Sequence, residues 1–160
     1  MHSLLEEASL LLARNNMRLV TAESCTGGMI AAAMTDRSGS SAVFERGFVT
    51  YSNESKMEEL GVQPSTIESF GAVSSQCALE MAQGALRSSC ADIAISVTGI
   101  AGPTGGLPEK PVGLVFIGIA TRNKTPHAFK HIFDGNRTAV RQQSVETALK
   151  HLIDTFGMIA

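Results

Sequence analysis

Apolar residues recur along the chain at helical and strand spacings in alternation. Leucine and alanine at positions 4, 5, 8, 11 and 12 repeat every three or four residues, which predicts an amphipathic helix ending at Asn15 and Asn16. Apolar runs predict five strands, at residues 18–22, 43–51 (broken at Gly47), 93–97, 113–121 and 127–133. Further helices are predicted at residues 28–34, 54–60 (capped by Asn53), 64–70, from Ser74 or Ser75 through Leu86, and at 136–156.

The order of these elements predicts the fold class. Helices and strands alternate first, and the short link at residues 122–126 makes the last two strands an antiparallel pair. We therefore expect an α/β fold of three layers, α/β/α, around a mixed sheet. The length favours a single domain over residues 1–160.

Composition narrows the class of protein. The chain is 44% hydrophobic and 18% charged, as in ordinary soluble globular domains, and its net charge of −2 gives no general attraction to nucleic acid. Neither an apolar run of ~18 residues nor a signal peptide is evident, so no membrane partner is expected. Three widely spaced cysteines indicate reduced thiols and a cytoplasmic location. The histidines are scattered and expected at the surface, with His127 and His131 facing solvent together, and no metal site is indicated.

The segment 22–28 places reactive side chains where a strand turns into a helix. Ser24, Cys25 and Thr26 are followed there by two glycines. Backbone N–H groups at a helix start point outward, and the helix dipole favours negative charge. This turn could hold a nucleophile beside an oxyanion site, or a phosphate. A plain helix cap is the structural alternative.

Three further segments carry polar or cationic groups at strand ends or helix starts. Lys56 follows a predicted strand, and the glycine-rich loop 98–106 follows the most apolar one but matches neither a Walker A loop nor a dinucleotide fingerprint. Arg137 and Arg141 begin the last helix, where cations oppose the dipole unless an anion lies between them. Solvated side chains and a flexible loop are the alternatives. All these segments could meet at one sheet edge, where open α/β sheets bind ligands.

Together these motifs resemble a known family. Residues 21–28, 44–53, 71–74, 99–106, 110–113 and 137–141 are similar to the C-terminal domain of the competence/damage-inducible protein CinA, over nearly the whole chain. Free-standing members of this family are nicotinamide-nucleotide amidohydrolases. The resemblance implies hydrolysis of the carboxamide of nicotinamide mononucleotide to nicotinate mononucleotide and ammonia, without a cofactor or a metal.

The resemblance also implies roles for particular residues. Ser24 resembles the nucleophile, Lys56 its general base, and Tyr51 a residue that supports this pair. Substrate contacts are expected from the turn, the loop and the last helix, namely Thr26, Gly27, Gly28, Thr98, Gly99, Gly102, Gly105, Gly106, Arg137 and Arg141. The expected partner is a small nucleotide, with no nucleic acid, and a homo-oligomer is expected.

The proposed chemistry sets physical requirements. Lysine acts as a base only when neutral, and burial can lower its pKa of about 10.4 by up to ~3–5 units. Backbone N–H groups at Thr26, Gly27 and Gly28 could bind the oxyanion. Cys25 is a rival nucleophile, although no histidine in a matching motif could serve it. A nucleotide-binding module without turnover, and an amidase for another substrate, remain as alternative functions.

Overall fold

The computed structural model describes residues 1–159, so Ala160 of the predicted domain lies outside the described residues. Within residues 1–159, six helices and five strands follow one another, with a single 3₁₀ turn at Ser40–Ala42. The elements are α1 His2–Arg14, β1 Leu19–Glu23, α2 Met29–Thr35, β2 Phe44–Val49, α3 Asn53–Leu60, α4 Pro64–Phe70, α5 Ser75–Arg87, β3 Ile93–Gly99, β4 Leu114–Thr121, β5 His127–Ile132 and α6 Arg137–Ile159.

The strands form one mixed sheet in the order β2-β1-β3-β4-β5. β1 pairs in parallel with β2 and β3, whereas β4 is antiparallel to both β3 and β5. The antiparallel pairing of β4 with β5 agrees with the prediction from the short link between them. One hydrophobic core joins the sheet to α1, α2 and α6, and a second joins its other face to α3, α4 and α5. The three-layer α/β/α prediction is thereby confirmed.

Two local predictions are wrong for reasons of packing. β2 runs unbroken through Gly47, where a Cβ would lie 2.9 Å from Thr21 Oγ1 and 3.2 Å from the Ala31 side chain, so glycine admits close packing without interrupting the strand. Ser52, not Asn53, caps α3, because its hydroxyl accepts the N–H of Ser55 at 3.1 Å.

Helix α3 is held close against α5. Gly84 of α5 lies directly over the last turn of α3, and a Cβ at Gly84 would lie 1.8 Å from the carbonyl oxygen of Leu60. The absence of a side chain at Gly84 therefore sets the separation of these helices. The position of α3 matters because this helix carries Lys56.

The parallel strands β1 and β3 end at the same edge of the sheet. The turn at residues 24–28 and the loop that follows Gly99 both begin there, and the start of α6 contacts both of them. The four predicted segments thus do meet at one edge. No helix of the described residues is long and apolar enough to cross a membrane.

Candidate active site

Ser24 and Lys56 lie side by side at this edge. Ser24 directly follows β1, and its backbone N–H continues the sheet by donating to the Val97 carbonyl at 2.9 Å. Lys56 projects from the first turns of α3, and its Nζ lies 3.1 Å from Ser24 Oγ. Ser24 is 8% exposed and Lys56 1% exposed, so the pair is shielded from bulk water. A nucleophile and a base in direct hydrogen-bond contact are the minimum for nucleophilic catalysis.

Backbone carbonyls complete the surroundings of the Lys56 amine. Besides Ser24, Nζ lies 3.0 Å from the Thr50 carbonyl, 3.2 Å from that of Tyr51 and 3.5 Å from that of Ser52. Two N–H bonds to the nearer carbonyls leave the lone pair of a neutral amine directed at the serine hydroxyl. Burial lowers the pKa of Lys56, and none of its hydrogen-bond partners is a carboxylate. Burial therefore favours the neutral amine that a base must be.

The start of α2 is already occupied by a carboxylate. Glu23 is fully buried, and its oxygens accept the N–H groups of Ile30 at 2.8 Å and Ala31 at 3.0 Å and the hydroxyl of Thr26 at 2.8 Å. This side chain fills the place where the sequence suggested that a phosphate could bind. The N–H groups of Ile30 and Ala31 are therefore not available to a phosphate.

One N–H group of the turn forms a hydrogen bond within the turn, and others have no acceptor among the described residues. The N–H of Gly27 donates to the Ser24 carbonyl at 3.0 Å, so the predicted oxyanion role of Gly27 is wrong. The N–H groups of Cys25, Thr26 and Gly28 donate to no carbonyl or carboxylate among residues 1–159. Donors for an oxyanion therefore remain beside Ser24.

Cys25 is poorly suited to act as the nucleophile. Its thiol is 6% exposed, and burial raises its pKa to about 11, against the weaker lowering effect of Arg141 and Lys56. A thiol attacks as the thiolate, which is scarce at neutral pH under these conditions. The rival assignment to Cys25 is disfavoured on these grounds.

A cavity of about 340 Å³ opens beside the pair. Seven predicted site residues line it together with Tyr51, namely Ser24, Lys56, Thr98, Gly99, Gly102, Gly105 and Arg137. No carboxylate is among the described residues that line this cavity, which suits an anionic ligand. Sequence analysis assigned no role to six further uncharged cavity residues, although all lie in the segments that carry the family resemblance, namely Asn53, Ala72, Val73, Ile100, Ala101 and Thr104.

Five predicted substrate-binding residues do not line the cavity. Thr26 is buried and donates to Glu23, while Gly27 and Gly28 have left-handed backbones with φ +58° and +99° that shape the turn. Gly106 packs against Val112, where a Cβ would lie 3.0 Å from its side chain. The fifth, Arg141, is described below. Small and polar residues are favoured in tight turns and at close packing contacts as well as in binding sites, so the residue type alone did not distinguish these roles.

Tyr51 and Thr98 contribute in ways that differ from the prediction. The Tyr51 side chain is 63% exposed, and its hydroxyl accepts Arg137 Nη2 at 3.2 Å. Tyr51 contacts Lys56 through its backbone carbonyl instead. The Thr98 hydroxyl donates to the Ala72 carbonyl at 2.8 Å, which holds one cavity wall to β3. Neither phenol nor hydroxyl forms a hydrogen bond to Ser24 or Lys56 among the described residues.

The two arginines of α6 have separate surroundings. Arg137 lines the cavity and donates through Nη1 to the Gly102 carbonyl at 2.9 Å. An adjoining cavity of about 500 Å³ shares Ala101 and Arg137 with the first. Arg141 instead donates to the carbonyls of the nucleophile turn and lies outside both cavities. A cavity ligand could therefore reach Arg137, whereas Arg141 is already engaged.

The chain is similar to known proteins in both sequence and structure. The sequence model described as the CinA C-terminal domain matches residues 1–156. The chain belongs to the CinA C-terminal domain family. Among solved CinA-type structures, the competence/damage inducible protein CihA of Agrobacterium tumefaciens is 48% identical, with a TM-score of 0.89 and 94% of each chain covered. A CinA superfamily protein of Klebsiella pneumoniae is 36% identical, with a TM-score of 0.94 and 98% of each chain covered.

CinA relatives occur in two lengths. Nicotinamide-nucleotide amidohydrolase PncC of Enterobacter agglomerans is 51% identical over 157 residues, with 96% of both proteins covered. PncC of Shigella flexneri is 48% identical over 151 residues, covering 94% of this chain and 92% of that protein. A CinA-like protein of Endomicrobium trichonymphae is 55% identical over 142 residues, which are 89% of this chain but 33% of that protein. The chain thus spans about a third of the length of some curated CinA relatives.

Edge strand β5 and helix α6 carry a histidine pair that sequence analysis missed. His131 and His151 approach within 2.9 Å between their Nε2 atoms, and burial lowers the pKa of both. The expectation of scattered surface histidines is therefore wrong for these two. Phe129 stacks on His151 at 3.8 Å and lines a third cavity of about 410 Å³. No group of three or more potential metal ligands exists within residues 1–159.

Proposed function

We propose that this chain hydrolyses the carboxamide of nicotinamide mononucleotide to nicotinate mononucleotide and ammonia by a serine–lysine mechanism. The observation that carries the proposal is the buried contact of 3.1 Å between Lys56 Nζ and Ser24 Oγ at the wall of a cavity. The proposed reaction and substrate come from two relatives that match over nearly their full length, at 51% and 48% identity, and are named nicotinamide-nucleotide amidohydrolase.

The proposed chemistry runs in two halves. Neutral Lys56 accepts the hydroxyl proton of Ser24 as Oγ bonds to the amide carbon, and the carbonyl electron pair moves to oxygen. On collapse of this oxyanion the C–N bond breaks, and ammonia leaves with the proton returned by Lys56. Water then attacks the serine ester with Lys56 again as base. The ester bond breaks, nicotinate mononucleotide departs, and Ser24 regains its proton.

Selection for a nucleotide is assigned to Arg137. Its guanidinium is the cationic group of the cavity that lies away from the reacting pair, and it borders the adjoining cavity as well. A charge-assisted contact between this guanidinium and the phosphate contributes roughly 1.5–3 kcal/mol.

The test is to incubate the purified protein with nicotinamide mononucleotide and to quantify ammonia and nicotinate mononucleotide together. The proposal expects equal amounts of both and much slower release from nicotinamide riboside, which lacks the phosphate. Binding without ammonia would support a nucleotide-binding module. Faster ammonia release from an unrelated carboxamide would support an amidase for another substrate.

A further inference from the structure

Arg141 lies outside the cavities but contacts the turn that carries the nucleophile. Its Nε donates to the Cys25 carbonyl at 3.0 Å, and its Nη2 lies 3.4 Å from the Thr26 carbonyl. A Cβ at Gly27 would lie 3.4 Å from the same Nη2, so the turn leaves room for the guanidinium. One side chain of α6 thus holds the two carbonyls that directly follow Ser24.

Peptide planarity passes this restraint to the N–H groups of the turn. In a trans peptide the C=O and the N–H point in opposite directions, and the peptides of this turn are trans. Holding the Cys25 carbonyl against Arg141 therefore turns the N–H of Thr26 away from α6. Holding the Thr26 carbonyl likewise turns the N–H of Gly27 toward the Ser24 carbonyl, which it meets at 3.0 Å.

The N–H of Cys25 is a donor without a partner among the described residues. Cys25 lines the cavity, and its N–H belongs to the peptide whose carbonyl accepts the N–H of Gly27, yet it donates to no acceptor among residues 1–159. Unpaired buried N–H groups are rare because they cost free energy. The one group in the proposed reaction that needs a new donor beside Ser24 is the oxyanion.

We propose that Arg141 is a positioning residue for the amide hydrolysis, which holds the turn after Ser24 in place so that the N–H of Cys25 is ready for the oxyanion. The inference rests on the proposed chemistry of Ser24. The two arginines of α6 then have different roles: Arg137 binds substrate, whereas Arg141 orients the backbone of the turn.

The matched control for Arg141 is Arg122. The Arg122 guanidinium also binds backbone carbonyls, those of Leu86, Ser89 and Ala91 at 2.8 to 3.0 Å, but at the opposite end of the sheet. Arg122→Ala therefore removes the same kind of contact far from Ser24. Arg141→Lys keeps a cation that can hold one carbonyl but not two.

Steady-state kinetics on nicotinamide mononucleotide provide the first readout. We expect Arg141→Ala to lower kcat roughly 100-fold, as loss of one oxyanion donor does, with KM changed less than about threefold. Arg141→Lys should fall between this variant and the native protein, and Arg122→Ala should keep the native kcat. A raised KM for the mononucleotide but not for nicotinamide riboside, with kcat retained, would show that Arg141 binds phosphate and would overturn the proposal.

Covalent labelling of Ser24 by a small fluorophosphonate provides a readout that does not depend on the substrate. Attack on phosphorus also develops negative charge on oxygen. Labelling should therefore be at least tenfold slower in Arg141→Ala than in the native protein, and severalfold slower in Arg141→Lys. Labelling of both at the native rate would overturn the positioning role. Native labelling without hydrolysis of nicotinamide mononucleotide would instead refute the proposed substrate, while slowed labelling of the variants would still support the role of Arg141.

Discussion

The rate of hydrolysis should reach its plateau at a pH below the ordinary pKa of lysine, because Lys56 is neutral earlier than an exposed lysine. Burial lowers its pKa, and only the neutral amine can take the proton of Ser24. The logarithm of kcat/KM should therefore rise by about one for each pH unit on the acid side and then level off.

The size of the advantage follows from the neutral fraction. At pH 7.4 a lysine with a pKa of about 10.4 is neutral in roughly one molecule in a thousand, and each unit by which the pKa falls multiplies that fraction about tenfold. The same shift affects stability. The unfolded chain binds a proton that folded Lys56 has lost, so the free energy of unfolding should rise with pH between the folded pKa and about 10.4.

The assay is kcat/KM for nicotinamide mononucleotide from pH 6 to 10, in the native protein and in Lys56→Arg. Guanidinium stays protonated throughout, so this variant should lose at least about 100-fold in rate and show no plateau. Lys150→Arg makes the same exchange at an exposed position of α6 and should behave as the native protein. Near-normal turnover by Lys56→Arg, or a native rate still rising tenfold per unit at pH 10, would refute the role of Lys56 as a base with a lowered pKa.

Three further predictions concern other parts of the molecule. Arg137→Ala should raise KM for nicotinamide mononucleotide roughly 10- to 150-fold but leave that for nicotinamide riboside unchanged; equal effects on both would dissociate Arg137 from the phosphate. Cys25, with a pKa of about 11, should resist iodoacetamide at pH 7.4 while exposed Cys90 reacts, as peptide mass mapping would show. Gly84→Ala should lower stability by about 1–3 kcal/mol in urea titrations, because its Cβ would overlap α3, whereas Gly157→Ala has open space and should raise stability by up to about 1 kcal/mol.

The sequence predicted the parts of the site that depend on strand ends. Ser24, Lys56 and Arg137 each follow a strand or begin a helix, so alternation of elements is enough to bring them to one edge. The mixed sheet and the antiparallel final pair follow from the same alternation and from the short link before β5. These features are local in sequence, which is why they could be predicted.

Roles that depend on tertiary contacts could not be predicted. Nothing in the sequence shows that Glu23 turns inward to bind the start of α2, or that Arg141 binds carbonyls 116 and 115 residues away. The approach of His131 and His151 likewise depends on how α6 packs against β5. In each case the residue type fits two roles, and the packing of distant segments selects one.

The most direct test of the serine–lysine account compares ammonia release from nicotinamide mononucleotide by the native protein, Ser24→Ala and Cys25→Ala. Each change removes one heavy atom from adjacent, nearly buried side chains, so both variants should keep the fold. The account predicts background release by Ser24→Ala and substantial release by Cys25→Ala. An active Ser24→Ala, or an inactive native protein, would contradict it.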